Sequence, residues 1–350
     1  MEVAPRGVVV VETPYVAVDV DVLDRNVAGM AAAARDRGLD LRPHAKTHKC
    51  LEIARRQVEH GAAGLTVATV SEAELFAGGG FEDLFIAYPV WPSPGRAERL
   101  RALAERIALR VGVDSVESAG LLAKAVGPLD VLVEVDSGHH RSGVRPGDAA
   151  RVAEAAERAG HRVRGIFTFP GHGYGPGLQQ QAARDEAAAL SEAASDAPVR
   201  SGGSTPTAAL AGAGPLTEIR PGVYVFGDAQ QVELGTCDWE DVALTVVATV
   251  VSRTGNRAIV DAGSKVLGAD RPAWATGFGR LPEHPDARIV ALSEHHATVE
   301  FPGEAPARGD VLRVAPNHVC ATVNLADELV VVRDGTEVDR WRVAARGANT

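Results

Sequence analysis

The chain is 350 residues long, 45% hydrophobic and of formal net charge -10, with cysteines only at Cys50, Cys237 and Cys320. That length supports a full core in two domains, while an acidic balance without a basic run excludes a nucleic-acid surface and no apolar run is long enough to span a membrane. Three widely spaced cysteines argue against a disulfide framework, and Met1 to Arg6 lacks the charged and apolar regions of a secretory signal, so a soluble cytoplasmic protein is expected.

Tyr15 to Val20 reads as a buried strand, after which Leu23, Val27, Met30, Ala31 and Ala34 recur at helical spacing until Gly38. A second strand-helix unit runs from Leu41 through Lys46 to Gly61. Gly64 to Ala68 gives a third strand, with Ser71 and Glu74 as a capping box for the next helix. Asp83 to Tyr88, Ile107 to Val113, Val131 to Asp136, Val163 to Phe169 and Val199 to Gly203 continue the series to eight strands. This alternation fits a closed barrel or an open doubly wound sheet, and periodicity leaves the two open. From residue 236 the pattern changes to short β-rich runs, ending in a hairpin from Glu328 to Val338 with an Asp-Gly turn. The domains predicted are residues 1–235 and a β domain over 236–350.

Only four of the 36 basic residues are lysines, and two of them, Lys46 and Lys49, fall in one window at a strand end. A desolvated Lys can become a nucleophile where Arg cannot, so Lys46 is the first candidate for chemistry; an exposed basic loop is the alternative. Other strand ends offer further groups. His172, in Phe169-Pro170-Gly171-His172-Gly173-Tyr174, could move a proton near neutral pH or be a plain loop histidine. Ser201 to Thr207, followed by Arg220 to Tyr224, could close backbone N–H groups on a phosphate or form an ordinary loop. His318 and Cys320, two apart on a segment read as extended, project to one side and suit a zinc ion, although two ligands alone are a weak motif.

Pro43-His44-Ala45-Lys46-Thr47-His48-Lys49 resembles the pyridoxal-phosphate lysine motif of the D-threonine aldolase and D-serine dehydratase group, fold-type III enzymes whose catalytic domain is alanine racemase-like. Matching segments run from about residue 14 to about residue 332. The resemblance implies an α/β fold with a (β/α)8 TIM-type barrel and a C-terminal antiparallel β domain. It implies pyridoxal 5'-phosphate held by Lys46, with Arg141 on its phenolic oxygen and Tyr174 facing it. Ser201, Gly203, Ser204, Gly222 and Val223 would form the phosphate cup, and His318 with Cys320 would hold Zn2+ or Mn2+. A homodimer is implied as well. His139, His140 and His295 receive no role, while Asp261 and Lys265 read as structural. Phe169-Pro170 departs from the tyrosine and glutamate usual in the aldolases. With His-x-Cys, this favours dehydration of a D-3-hydroxy-amino acid, D-serine to pyruvate and ammonia, over the alternative aldolase cleavage, in which His172 would be the base. A racemase and a non-catalytic carrier of the cofactor are lesser readings.

Overall fold

The computed structural model describes residues 12–350 apart from positions 195 and 213; Met1 to Arg6, on which the reading of no secretory signal rests, lie outside the described residues. The described chain opens with β1 (Tyr15–Asp19) and α1 (Val20–Asp36), whose cap Asp19 accepts the N–H groups of Asp21 and Val22. Alternation then runs through β2 (Asp40–Leu41), α2 (Leu51–Glu59), β3 (Leu65–Val67), α3 (Val70–Gly78), β4 (Asp83–Pro89), α4 (Pro94–Ala104), β5 (Ala108–Val113) and α5 (Val116–Val126). It continues with β6 (Asp130–Glu134), α6 (Ala149–Arg158), β7 (Arg162–Phe167), α7 (Gln179–Ala194), β8 (Val199–Gly202) and β9 (Glu218–Ile219).

Strands β2 to β9 form one parallel sheet in the order β2-β9-β8-β7-β6-β5-β4-β3. Its edges meet where His44 bridges Thr66 and the Thr66 N–H donates to the Pro43 carbonyl at 2.8 Å, so the sheet curls into the expected barrel. Two strand assignments need correction. Tyr15–Asp19 is not a barrel strand: Val16, Ala17 and Val18 are buried, and β1 pairs with strands of the second sheet. Its place in the barrel is filled by β9, a strand of two residues between β8 and β2, too short to show a period. The cap of α3 also lies two residues earlier than expected, at Thr69, whose side chain accepts the Glu72 N–H, while Glu72 reaches back to the Ala68 N–H.

The barrel half ends with α8 (Ala229–Glu233), and the second unit contains β10 (Leu244–Thr254), β11 (Arg257–Val260), α9 (Ser264–Leu267), β12 (Arg288–Leu292), β13 (Ala297–Glu300), β14 (Val311–Val314), α10 (Val319–Leu325), β15 (Glu328–Arg333) and β16 (Thr336–Arg342). Its sheet runs β12-β13-β11-β10-β1-β15-β16, with β14 on β10; every pairing is antiparallel except that of β1 with β15. The Asp334-Gly335 turn has positive φ at both residues, as a tight two-residue hairpin requires. No helix among the described residues is long and apolar enough to cross a membrane.

The barrel interior is layered. Near the strand starts, the Arg42 guanidinium pairs with Glu218 at 2.7 Å and with Asp83 at 2.8 Å, and Arg110 joins Asp83 at 3.1 Å. Phe85, Leu132 and Phe167 form an apolar layer, with the Arg220 guanidinium 5.7 and 5.5 Å from the two aromatic rings. The barrel mouth lies beyond them, and the β domain faces it.

Candidate active site

The turn that carries Lys46 is a single 3-10 turn, Ala45–Thr47, placed directly after β2. Polar bonds fix it from behind. His48 is fully buried, accepts the Cys50 N–H on Nδ1 and meets Gln57 through Nε2, while Gln57 donates to the Tyr224 hydroxyl. Burial holds the His48 pKa at about 4, so this histidine is neutral and structural. Lys49 sits at positive φ, and its Nζ donates to Asn324 and Asn349 and pairs with the buried Glu72 at 3.3 Å. The second lysine of the window is thus a latch, and Lys46 is the one that faces a cavity.

That cavity, of about 300 Å³, is lined from the barrel by His44, Lys46, Phe169, Tyr174 and Gly222, and from the β domain by His318 and Cys320. A second cavity of about 560 Å³ opens on the other side of His44 and Lys46 and reaches Arg141. The Phe169 ring lies near both cations, 6.0 Å from Lys46 Nζ and 5.2 Å from the Arg141 guanidinium.

The expected phosphate cup divides. Gly222 and Val223 line the cavity at the start of the 3-10 turn Val223–Val225, where first-turn N–H groups have no acceptor within the turn. Glycine is required at 222, because a Cβ there would lie 2.5 Å from Thr47 Oγ1 and 3.2 Å from the His44 carbonyl. Ser204 also lines the cavity, yet its N–H and hydroxyl are engaged with Thr207 in a capping box. Ser201 and Gly203 do not line it. Ser201 Oγ donates to Glu218 and accepts from Arg220, and the Gly203 N–H donates to the buried Glu186 at 2.8 Å. The composition of the loop suggested phosphate contact, but the buried charges beneath it take up these groups.

Three further groups in the cavity were not assigned from sequence. His44 Nδ1 is buried without a hydrogen-bonding partner, and burial followed by Lys46 and Arg220 holds His44 well below its ordinary pKa. Arg220 donates to Ser201 Oγ and to the Thr168 carbonyl, and burial lowers its pKa. His139 lines the cavity with its ring edge-on to Phe169 at 5.4 Å, and burial followed by Arg141 lowers its pKa, which favours the neutral imidazole. His172, the expected proton-transfer group, does not line the cavity: its Nε2 turns to Asp185 on α7 at 3.2 Å. The structure brings His139 to the place where His172 was expected, and adjacent His-His pairs give no sequence signal of which ring points inward.

On the opposite wall, His318 is the extended cap of α10 and Cys320 lies in its first turn. The segment is therefore not the extended strand expected, yet both side chains reach the cavity. Cys320 holds His318 well above its ordinary pKa against burial. Burial pushes the Cys320 thiol up, but His318, Lys46 and Thr47 Oγ1, 3.4 Å from Sγ, outweigh it and lower its pKa. Tyr174 lies beside them, its pKa raised by burial and then by Cys320 and Asp228. An imidazole and a thiolate with a hydroxyl nearby match the donor preferences of Zn2+ more closely than those of Mn2+. Among the described residues no third His, Cys, Asp or Glu completes a metal cluster.

Residues 18–230 match the family model "Alanine racemase, N-terminal domain", and residues 243–332 match the "Putative serine dehydratase domain". The chain is 36% identical to D-threo-3-hydroxyaspartate dehydratase of Delftia sp. (strain HT23), over 89% of this chain and 91% of the relative. It is 35% identical to D-threonine aldolase of Arthrobacter sp, over 96% of this chain and 93% of the relative. A solved structure of D-threo-3-hydroxyaspartate dehydratase, a cysteine-to-alanine variant in the metal-free form, superposes with a TM-score of 0.88 at 32% identity, covering 97% of this chain and 99% of that one. With Lys46 at the mouth of a racemase-like barrel and a dehydratase-type domain facing it, the chain belongs to the fold-type III pyridoxal-phosphate enzymes that include these dehydratases and aldolases, and it is a lyase.

Proposed function

We propose that the protein is a pyridoxal-phosphate- and zinc-dependent D-3-hydroxy-amino-acid dehydratase that converts D-serine, or a β-substituted analogue, to a keto acid and ammonia. The observation that carries this reading is the convergence of Lys46 and the His318–Cys320 pair on one cavity from two different domains. The residues present fit the cofactor: an amine, open N–H groups at Gly222 and Val223 for an anion, and the orphaned Nδ1 of His44 beside them. When bound, pyridoxal phosphate supplies an electron sink for charge at the substrate Cα, and zinc supplies a Lewis acid for a β-hydroxyl.

The chain's own groups then divide the work. Lys46 Nζ holds the cofactor and takes the α-proton. Gly222 and Val223 anchor the phosphate, Arg141 places a fixed cation on the Lys46 side, and His318 with Cys320 holds the zinc. Phe169 and Tyr174 restrict water around Lys46. Removing the α-proton and expelling the β-hydroxyl gives dehydration. The protein is proposed to act as a homodimer.

A second reading is the aldolase. Two observations favour it: the Arthrobacter relative is nearly as similar as the Delftia one, and His139 lines the cavity. A neutral His139 could accept the β-hydroxyl proton, so that the Cα–Cβ bond breaks and glycine and an aldehyde leave. Incubation with D-serine, D-threonine and D-threo-3-hydroxyaspartate, with and without a chelator, separates the readings. Keto acid and ammonia, lost on chelation and restored by zinc, are expected. Glycine and an aldehyde in their place would make the enzyme an aldolase, and activity indifferent to the chelator would remove the metal from the reaction.

A further inference from the structure

Asp228 is fully buried, at the cap of α8. A helix cap needs one side-chain oxygen, and a serine or asparagine supplies it without burying a charge. Here Oδ1 does the capping, accepting the Gln231 N–H at 2.9 Å. The second oxygen faces the β domain: Oδ2 accepts the Val319 N–H at 3.2 Å and lies 3.5 Å from His318 Nδ1. That nitrogen is itself buried and makes no hydrogen bond, so what it meets at Asp228 is the charge of the carboxylate. The backbone reinforces the contact, since the Ala229 N–H donates to the Pro316 carbonyl at 3.0 Å and the Gln230 N–H to the Asn317 carbonyl at 3.3 Å. The turn following the anion-binding residues Gly222 and Val223 is therefore docked on both sides of His318.

We propose that Asp228 is the positioning residue for His318. With Nδ1 directed at a buried carboxylate, the ring presents Nε2 to the cavity, and the carboxylate strengthens it as a metal donor. Carboxylates paired in this way with a metal-binding histidine commonly contribute 10–100-fold to metal affinity. The contact crosses from the barrel to the β domain, so a single short segment sets the spacing between the anion cup and the metal-binding wall. This inference rests on the zinc reading of His318 and Cys320.

The test is zinc affinity, measured by competition with a chromophoric chelator on the full-length, cofactor-loaded protein stripped of metal. Asp228→Asn keeps an oxygen for the Gln231 N–H and removes the charge; Asp228→Ser keeps the cap and removes the second oxygen. Both variants are expected to lose 10–100-fold in zinc affinity, with the cofactor absorbance near that of the parent and turnover restored by excess zinc; the metal-free melting temperature falls in both, because the buried Val319 N–H loses its acceptor. Unchanged affinity in these variants, alongside a large loss in His318→Ala, would overturn the role of Asp228 and leave the zinc reading intact. If His318→Ala itself binds zinc as the parent does, the zinc reading fails and the inference falls with it.

Discussion

The barrel and the β domain face one cavity, yet their interiors are built from different materials. The barrel encloses Arg42, Glu218, Glu134, Glu186 and Arg220, all buried, around a small aromatic layer. The β domain closes on Val246, Val260, Ile289, Val299, Val314 and Leu329, a core of aliphatic side chains. The difference follows from what each must hold at the cavity. Around Lys46 the barrel needs polar groups whose positions do not drift, and buried polar groups stay fixed when each is paired or hydrogen-bonded, as Arg42 is with Glu218, Glu186 with the Gly203 N–H and Arg220 with Ser201. The β domain has only to present His318 and Cys320 to the cavity, so an apolar core serves it.

Mutation sharpens this contrast. The largest effect is expected at Arg42, which pairs with Glu218 and Asp83 at 2.7 and 2.8 Å. Arg42→Met strands a buried carboxylate and should cost about 3–5 kcal/mol in denaturant unfolding; a loss below about 1 kcal/mol would mean that the layer is dispensable. Glu186 comes next. Burial raises its pKa to about 7 in the folded chain, against an ordinary 4.5. A carboxyl raised in this way favours the folded state only while protonated, so stability is present below about pH 4.5 and is lost as pH rises through about 7. Glu186→Gln keeps an acceptor for the Gly203 N–H; it should match the parent near pH 4.5 and exceed it by roughly 2–3 kcal/mol above pH 8. Melting curves that differ equally at both pH values would contradict the assignment. The smallest effect belongs to the β domain, where Ile289→Val should cost about 0.5–1.5 kcal/mol at any pH. A markedly larger loss there would show that the two interiors do not differ in tolerance as argued.

Much of this organisation was legible in the residues. The alternation of strands and helices predicted an α/β fold, and the Pro43 to Lys49 motif pointed to the strand end beside which the cavity opens. What escaped was mostly set by partners distant in sequence. Nothing local in Tyr15–Asp19 says that it pairs with β10 and β15 rather than beside β2, and nothing in Glu218–Ile219 shows that two residues complete a barrel. Within the candidate site, Ser201 and Gly203 looked available because Glu218, Arg220 and Glu186, which engage them, come from other elements. Asp228 has no reading in the sequence, and its second oxygen acquires meaning only once α10 has been brought against it.

The contact of Gly222 with Thr47 and His44 joins the two ends of the barrel. β2 and β9 are neighbours, with Leu41 opposite Ile219, although almost the whole barrel lies between them in the chain. The Lys46 amine on one loop and the open N–H groups of Gly222 and Val223 on the other therefore come together only when the first and last staves meet. During synthesis the earlier staves can stack before that moment, but under the proposed reading none of them can retain the coenzyme. Coenzyme capture would then mark completion of the barrel, and a chain stalled with its last stave unpaired would be recognisable by its lack of colour.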